Sequence, residues 1–163
     1  MAILDSGARR NFETGAVRDI ADGKGRCDLL PLHVISRMYD DKQGRIFRCI
    51  ERYIREGDIS CLYEALWLFA DIAFDGNQQT ALLEVSKQYE EGAKKYTERN
   101  WEKGIPVHCF IDSAVRHYLK VLRGDQDEPH SRAVIWNLLG AIWTHENHPE
   151  LIDLPFKEDK PCQ

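Results

Sequence analysis

Val107-His108-Cys109-Phe110-Ile111-Asp112-Ser113-Ala114-Val115-Arg116-His117-Tyr118-Leu119-Lys120-Val121-Leu122-Arg123 is the stretch that decides the fold. Its apolar residues Val107, Phe110, Ile111, Ala114, Val115, Tyr118, Leu119 and Leu122 keep the i, i+3, i+4 spacing of an amphipathic helix without a miss. Pro106 suits the first turn and Gly124 the stop. The opposite face carries Asp112, Ser113, Arg116, His117 and Lys120. Asp112 and Arg116 are four apart and can pair. Two readings of this face stand side by side. One is a solvated face with a single ion pair; the other is a cationic face that grips phosphates, with Asp112 free to hold a metal.

The same period recurs on both sides. A short helix is expected over 32–38. A longer one over 45–56 carries Ile46, Phe47, Ile50, Tyr53 and Ile54 on one face and stops at Gly57. Asp58 caps a helix over 59–74 that is apolar nearly all round, and is therefore expected to be central. After the break at Asp75-Gly76-Asn77, a helix over 78–96 places Leu82, Val85, Tyr89, Ala93 and Tyr96 on one stripe, where Gly92 is expected to admit a neighbouring helix. A last helix covers 130–144. No run alternates like a half-buried strand for more than a few residues. The expected class is all-α: a helical bundle with a four-helix core and an irregular N-terminal arm. Residues 1–163 read as a single domain, with the glycine-bearing arm at 1–31, the helical core at 32–145 and an extended, proline-bearing tail at 146–163.

Composition narrows the function. Hydrophobic residues are 43% and charged residues 30% of 163, which is globular usage. A chain of this size buries roughly two-thirds of its unfolded surface and needs no staple to fold. Lys+Arg is 22 against Asp+Glu 27, so the net charge of −5 argues against general nucleic-acid binding and against a polybasic membrane binder. The longest apolar stretch, Ala65 to Phe74, is broken by Asp71 and is far short of the roughly 20 residues that span a bilayer. The opening residues show no basic-then-apolar leader. Five cysteines at scattered spacings, with no CxxC, read as reduced thiols and a cytoplasmic protein.

The last helix is the more informative. Val134, Ile135, Trp136, Leu138, Leu139, Ile142 and Trp143 cover most of its circumference, and one stripe of His130, Ala133, Asn137, Gly140 and Thr144 differs. An unpaired buried polar group costs about 1–3 kcal/mol, so this stripe faces either a neighbouring helix or a ligand cavity lined by His130 and Asn137. Glu64 and Asp71 share a face and can hold Mg²⁺ or pair with Arg45, Arg48 or Arg52; the salt bridge is the favoured reading. Asp125, Asp127 and Glu128 precede a helix N-terminus, where carboxylates complement the dipole. Beside His130 they also form a reasonable divalent-metal cluster, without EF-hand spacing. In the arm, Arg18, Lys24, Gly25 and Arg26 interleave bases with glycine, as a polyphosphate wrap would. GxxxxGK[ST], GxSxG, HExxH and a His-Asp dipeptide are all absent, and the adjacent His108-Cys109 pair is retained as a possible nucleophile with its base.

Several blocks together resemble one family. They are Phe12-Glu13-Thr14-Gly15-Ala16-Val17-Arg18-Asp19, then Lys24-Gly25-Arg26-Cys27-Asp28-Leu29-Leu30-Pro31, Gly92-Ala93-Lys94-Lys95-Tyr96 and Arg99-Asn100-Trp101. Asp112-Ser113, Arg116-His117, Asp127-Glu128-Pro129-His130 and Trp136-Asn137 complete the set. In these residues the chain is similar to the phage-type dATP/dGTP diphosphohydrolase N-terminal domain family, related to the MazG-like all-α pyrophosphohydrolases. The blocks spread over residues 12–137, and residues 32–78 match less clearly.

The resemblance implies metal-dependent hydrolysis of a deoxypurine nucleoside triphosphate to the monophosphate and pyrophosphate, as of dGTP to dGMP within that family. MazG-like enzymes bind Mg²⁺ through ExxE on one helix and ExxD on the next; neither spacing is clean here. The implied cofactor is Mg²⁺ or Mn²⁺, with Glu90, Glu91, Asp112, Asp127 and Glu128 as metal-ligand candidates. His117 or His130 would orient or deprotonate the water. Arg18, Lys24, Arg26, Lys94, Arg116 and Lys120 would carry phosphate charge, Trp101 would stack on the base and Asn137 would read its edge. A homo-oligomer, dimer or tetramer, is expected, located in the host cytoplasm if the gene is phage-borne. The alternative is a non-catalytic helical module that binds a nucleotide or a protein.

Overall fold

The protein is described by a computed structural model, in which residues 7–158 can be described. The all-α expectation holds. Five long helices, α2 (Asp41–Glu56), α3 (Ile59–Ala73), α4 (Gln78–Lys95), α5 (Val107–Arg123) and α6 (His130–Asn147), follow a short α1 (Leu32–Ile35), and a single turn, α7 (Pro155–Glu158), comes last. Local chemistry sets the ends. The Asp40 carboxylate accepts from Gln43 N at 2.8 Å and starts α2 four residues earlier than the apolar pattern indicates. Gly57, at φ 71°, ends it in the left-handed region that glycine enters without strain. Asp58 caps α3 through Ser60 N at 3.1 Å, and Asn77 caps α4 through Thr80 N at 2.8 Å.

The core lies among α2, α3, α5 and α6. Phe47 of α2 and Phe69 of α3 both pack on Tyr118 of α5, the first tilted and the second edge-on, with ring centroids 4.8 and 5.6 Å apart. The helix expected to be central is not. In α3, Leu62, Ala65 and Phe69 are buried, but Tyr63 and Trp67 are 40% and 51% exposed. Both α3 and α6 pack against three long helices, but α6 is the more enclosed: ten of its eighteen residues are buried, against five of fifteen in α3. All-round apolarity cannot separate a wrapped helix from one with an aromatic patch on its outer face. At Gly140 the Phe110 ring of α5 lies directly against the α6 backbone: a Cβ there would stand 2.8 Å from Phe110 Cδ1 and Cζ. Gly92, expected to admit a helix, has open space beside it instead.

Two other expectations need correction. The arm is not wholly irregular. It contains an antiparallel hairpin, β1 (Arg9–Asn11) and β2 (Val17–Asp19), with Arg9 opposite Asp19 and Asn11 opposite Val17. Asn100 clips it to the body, accepting from Val17 N at 2.9 Å and donating to Val17 O at 2.8 Å. Strands of three residues are too short to display a period. The tail, expected to be extended, returns to the core: Ile152, Leu154 and Phe156 are buried, and Phe156 meets Tyr53 edge-on with centroids 5.8 Å apart. Residues 1–6 and 159–163 of the arm and tail fall outside the described residues.

Candidate functional site

The hairpin carries Arg18 across to the seam of α5 and α6. Arg18 Nη2 donates to Asn137 Oδ1 at 2.8 Å and to Ser113 Oγ at 3.2 Å. The guanidinium lies over the rings of Phe110 and Trp136, 5.1 and 5.5 Å from their centroids. Asn137 Nδ2 donates to Ala133 O at 2.8 Å, which fixes the amide with its oxygen toward Arg18. Arg18 Nη1 is buried and has no partner among the described residues. Burial pushes this guanidinium down from the ordinary arginine range.

Arg18 lines a cleft of about 1240 Å³ between the arm, the C-terminal end of α4, the turn at Asn100–Lys103, and helices α5 and α6. Lys24, Arg26, Arg116 and Lys120 line the same cleft, as do Tyr89, Trp101 and Trp136. Trp101 is held edge-on by Tyr89 and Trp143, with centroids 5.7 and 5.0 Å away. Asp19 closes one side, accepting from Lys95 Nζ at 2.6 Å, Tyr96 Oη at 2.9 Å and Arg9 Nη1 at 2.9 Å. Gln88 Oε1, also on the cleft, is buried with no partner among the described residues.

At the α5–α6 end of the cleft three donors converge. His117 Nδ1 and His130 Nδ1 are 3.0 Å apart, and Glu128 Oε1 is 3.6 Å from the first and 3.4 Å from the second. His130 Nε2 lies 2.7 Å from Asp127 Oδ1 and donates to that carboxylate, which leaves Nδ1 turned toward His117 and Glu128. Burial first, and then His130, Arg116 and Lys120, push His117 down to about 3, so its ring is neutral at neutral pH. The set suits a divalent cation. Two donors bound to one ion at roughly 2.1 Å stand roughly 3 to 3.5 Å apart, close to what is seen. The carboxylate behind His130 is the partner that metal-bound imidazoles commonly have. A second grouping, Asp125, Asp127 and His130, shares His130. There Asp125 is already held by Arg123 Nε at 2.7 Å.

A family model described as dATP/dGTP diphosphohydrolase, N-terminal, matches residues 70–154, more than half of the chain. The chain belongs to the dATP/dGTP diphosphohydrolase N-terminal family. Neither the curated proteins nor the solved structures contain a match. The matched span runs from the end of α3 through α6 and so includes the converging donors. The arm with Arg18, Lys24 and Arg26 lies outside it and completes the cleft from across the fold.

Among the residues singled out from sequence, Arg18, Lys24, Arg26, Trp101, Asp112, Arg116, His117, Lys120, Glu128 and Asn137 all line this diphosphohydrolase-family cleft. His130 and Asp127 stand directly behind His117 and Glu128. Asp112 does not join the acidic set. Its carboxylate pairs with Arg116 and accepts from Cys27 N at 2.7 Å, so its oxygens tie the arm to α5. Glu90 and Lys94 pair with each other outside the cleft, and Glu91 lies 3.9 Å from Arg132. Arg26 is held by Asp28 at 2.7 Å. Glu64 pairs with Arg45, as expected of a salt bridge, and Asp71 pairs with Lys42. Sequence reasoning missed the Asn100 clip, the Asp19–Lys95–Tyr96 contact and the Phe110–Trp136 bed under Arg18. The first of these bonds backbone atoms and leaves no side-chain signature.

Proposed function

We propose that the protein hydrolyses a deoxypurine nucleoside triphosphate to the monophosphate and pyrophosphate, with a divalent cation at His117, Glu128 and His130. The observation that carries this reading is that the metal-competent His117 and Glu128, backed by the buried His130, line the same cleft as the phosphate-competent cations. A divalent ion held there supplies charge neutralisation and acidifies a bound water. The chain's own residues do the rest. Arg116, Lys120 and Lys24 offset the triphosphate charge, with catalysis resting on position and electrostatics. Lys120, 3.2 Å from Asp127 and 3.7 Å from Glu128, joins the cationic and acidic halves of the site. Asp127 holds the Nε2 proton of His130 and fixes that ring. Trp101 and Trp136 offer aromatic faces to the base. The unpartnered Arg18 Nη1 donor and Gln88 Oε1 acceptor complement a base edge that both accepts and donates.

The mixed imidazole–carboxylate set suits Mn²⁺ and other transition ions better than Mg²⁺, which prefers oxygen. One observation favours the non-catalytic alternative: Asp112 is neutralised by Arg116, so a four-carboxylate set is not assembled. Glu128→Gln separates the two readings. Calorimetric titration with Mn²⁺, in parallel with a pyrophosphate-release assay, is expected to show cation binding and turnover lost together. Nucleotide binding that needs no cation, without turnover in the parent protein, supports the module.

A further inference from the structure

Beyond the cation site, a second constellation stands on the cleft wall, where α5 begins. His108 Nδ1 bonds Asp153 Oδ2, and Asp153 Oδ1 accepts from His108 N at 3.0 Å, so the carboxylate grips both ring and backbone of one residue. With the Nδ1 proton committed to Asp153, the other ring nitrogen, Nε2, faces Cys109 Sγ at 3.4 Å. Arg10 Nη1 approaches the same sulfur at 3.7 Å. Cys109 and His108 are each half-buried, and both line the cleft. Thiol, imidazole and orienting carboxylate therefore stand in line, and the His108 ring and the Arg10 guanidinium both offset charge that develops on sulfur.

We propose that Cys109 is a peroxide-reactive modification site on the cleft wall, activated by His108 and positioned through Asp153. The bonds to Asp153 and Cys109 outweigh burial and push His108 up to about 10, so at neutral pH the ring is an imidazolium whose Nε2–H points at the sulfur. The thiol proton passes to solvent, and the His108 Nε2–H and the Arg10 guanidinium hold the thiolate. The sulfur attacks one oxygen of hydrogen peroxide, the S–O bond forms and the O–O bond breaks. Sulfur is oxidised by two electrons to the sulfenic acid, and the departing hydroxide takes a proton from solvent and leaves as water. The product carries a new polar oxygen into the cleft beside Arg10 and is reversed by thiols. This inference does not rest on the hydrolase reading.

The test is peptide-resolved mass spectrometry of the folded, full-length protein, with dimedone trapping after a brief exposure to hydrogen peroxide at neutral pH. Cys109 is expected to be sulfenylated roughly tenfold or more faster than glutathione and than Cys27, which is also half-buried. His108→Gln is expected to return Cys109 to the glutathione rate, and Asp153→Asn to give an intermediate rate, with circular dichroism unchanged. If His108→Gln does not fold, Asp153→Asn decides. A parent Cys109 no faster than glutathione, or a rate unchanged in the folded variants, overturns the proposal.

Discussion

Arg18 and Asn137 are 119 residues apart in the chain, yet Arg18 Nη2 donates to Asn137 Oδ1 at 2.8 Å. That bond, with the stacking on Phe110 and Trp136, carries an arm residue into the seam of the last two long helices. It leaves Nη1 buried and without a partner among the described residues. A buried unpaired donor costs about 1–3 kcal/mol, which an acceptor supplied by a ligand recovers. A hydrogen bond from a charged group contributes about 1.5–3 kcal/mol, so Arg18→Ala is expected to raise KM for the triphosphate roughly 10- to 100-fold. Steady-state kinetics checks this. An unchanged KM in a folded variant would remove Arg18 from the binding site.

Gly140→Ala is expected to destabilise the fold. The new Cβ would meet Phe110 Cδ1 and Cζ at 2.8 Å, and Phe110 is fully buried with Trp136 behind it. Overpacking costs about 1–3 kcal/mol, whereas alanine gains about 1 kcal/mol over glycine within a helix. The net change is a loss, readable as a lower urea midpoint. A higher midpoint would show that Phe110 can move aside.

Phe156→Ala tests whether the tail belongs to the core. The ring is buried against Tyr53, and His145 lies 6.3 Å away between centroids. Loss of a buried phenylalanine costs about 3–5 kcal/mol. Chemical denaturation is expected to show a loss of that order, and a loss under about 0.5 kcal/mol, the range of ordinary surface changes, would place the tail outside the cooperative unit.

The His108–Asp153 pair gives stability a pH dependence of definite sign. His108 is raised to about 10, so its contribution is complete below its unfolded value near 6.5 and fades as pH rises toward 10. Asp153 is pushed up by burial but held below the usual carboxylate range by its bonds to the His108 ring and backbone and by the imidazolium charge. Its contribution is complete above its unfolded value near 4 and is lost in acid. The melting-temperature deficit of Asp153→Asn is therefore expected to be largest between pH about 4 and 6.5 and to shrink toward pH 10. A deficit that stays constant across this range would contradict the assignment.

How much of this was legible depended on how far apart the interacting residues lie. The stripe from Val107 to Leu122 fixes α5 because every apolar position repeats locally, and Asp127, Glu128 and His130 stand close enough in sequence to be read as a cluster. His117 joins them only across the α5–α6 packing. The Arg18–Asn137 contact was hidden although both residues were singled out, because nothing local links residues 18 and 137. Asp112 was read as a metal ligand from its place on the polar face, whereas its partners are Arg116 on the next turn and a backbone N–H of the arm. The tail did carry a signal. Ile152, Leu154 and Phe156 alternate, and all three are buried, but the surrounding prolines drew the reading toward extended chain.

The most direct measurement is product analysis by chromatography after incubating the purified protein with each deoxynucleoside triphosphate, with Mn²⁺, with Mg²⁺ and with EDTA. Cation-dependent conversion of a purine triphosphate to its monophosphate and pyrophosphate in equal amounts, lost in Glu128→Gln, is the predicted result. No conversion of any triphosphate by folded protein supplied with cation would contradict the hydrolase reading, and release of single phosphates would contradict cleavage to the monophosphate and pyrophosphate.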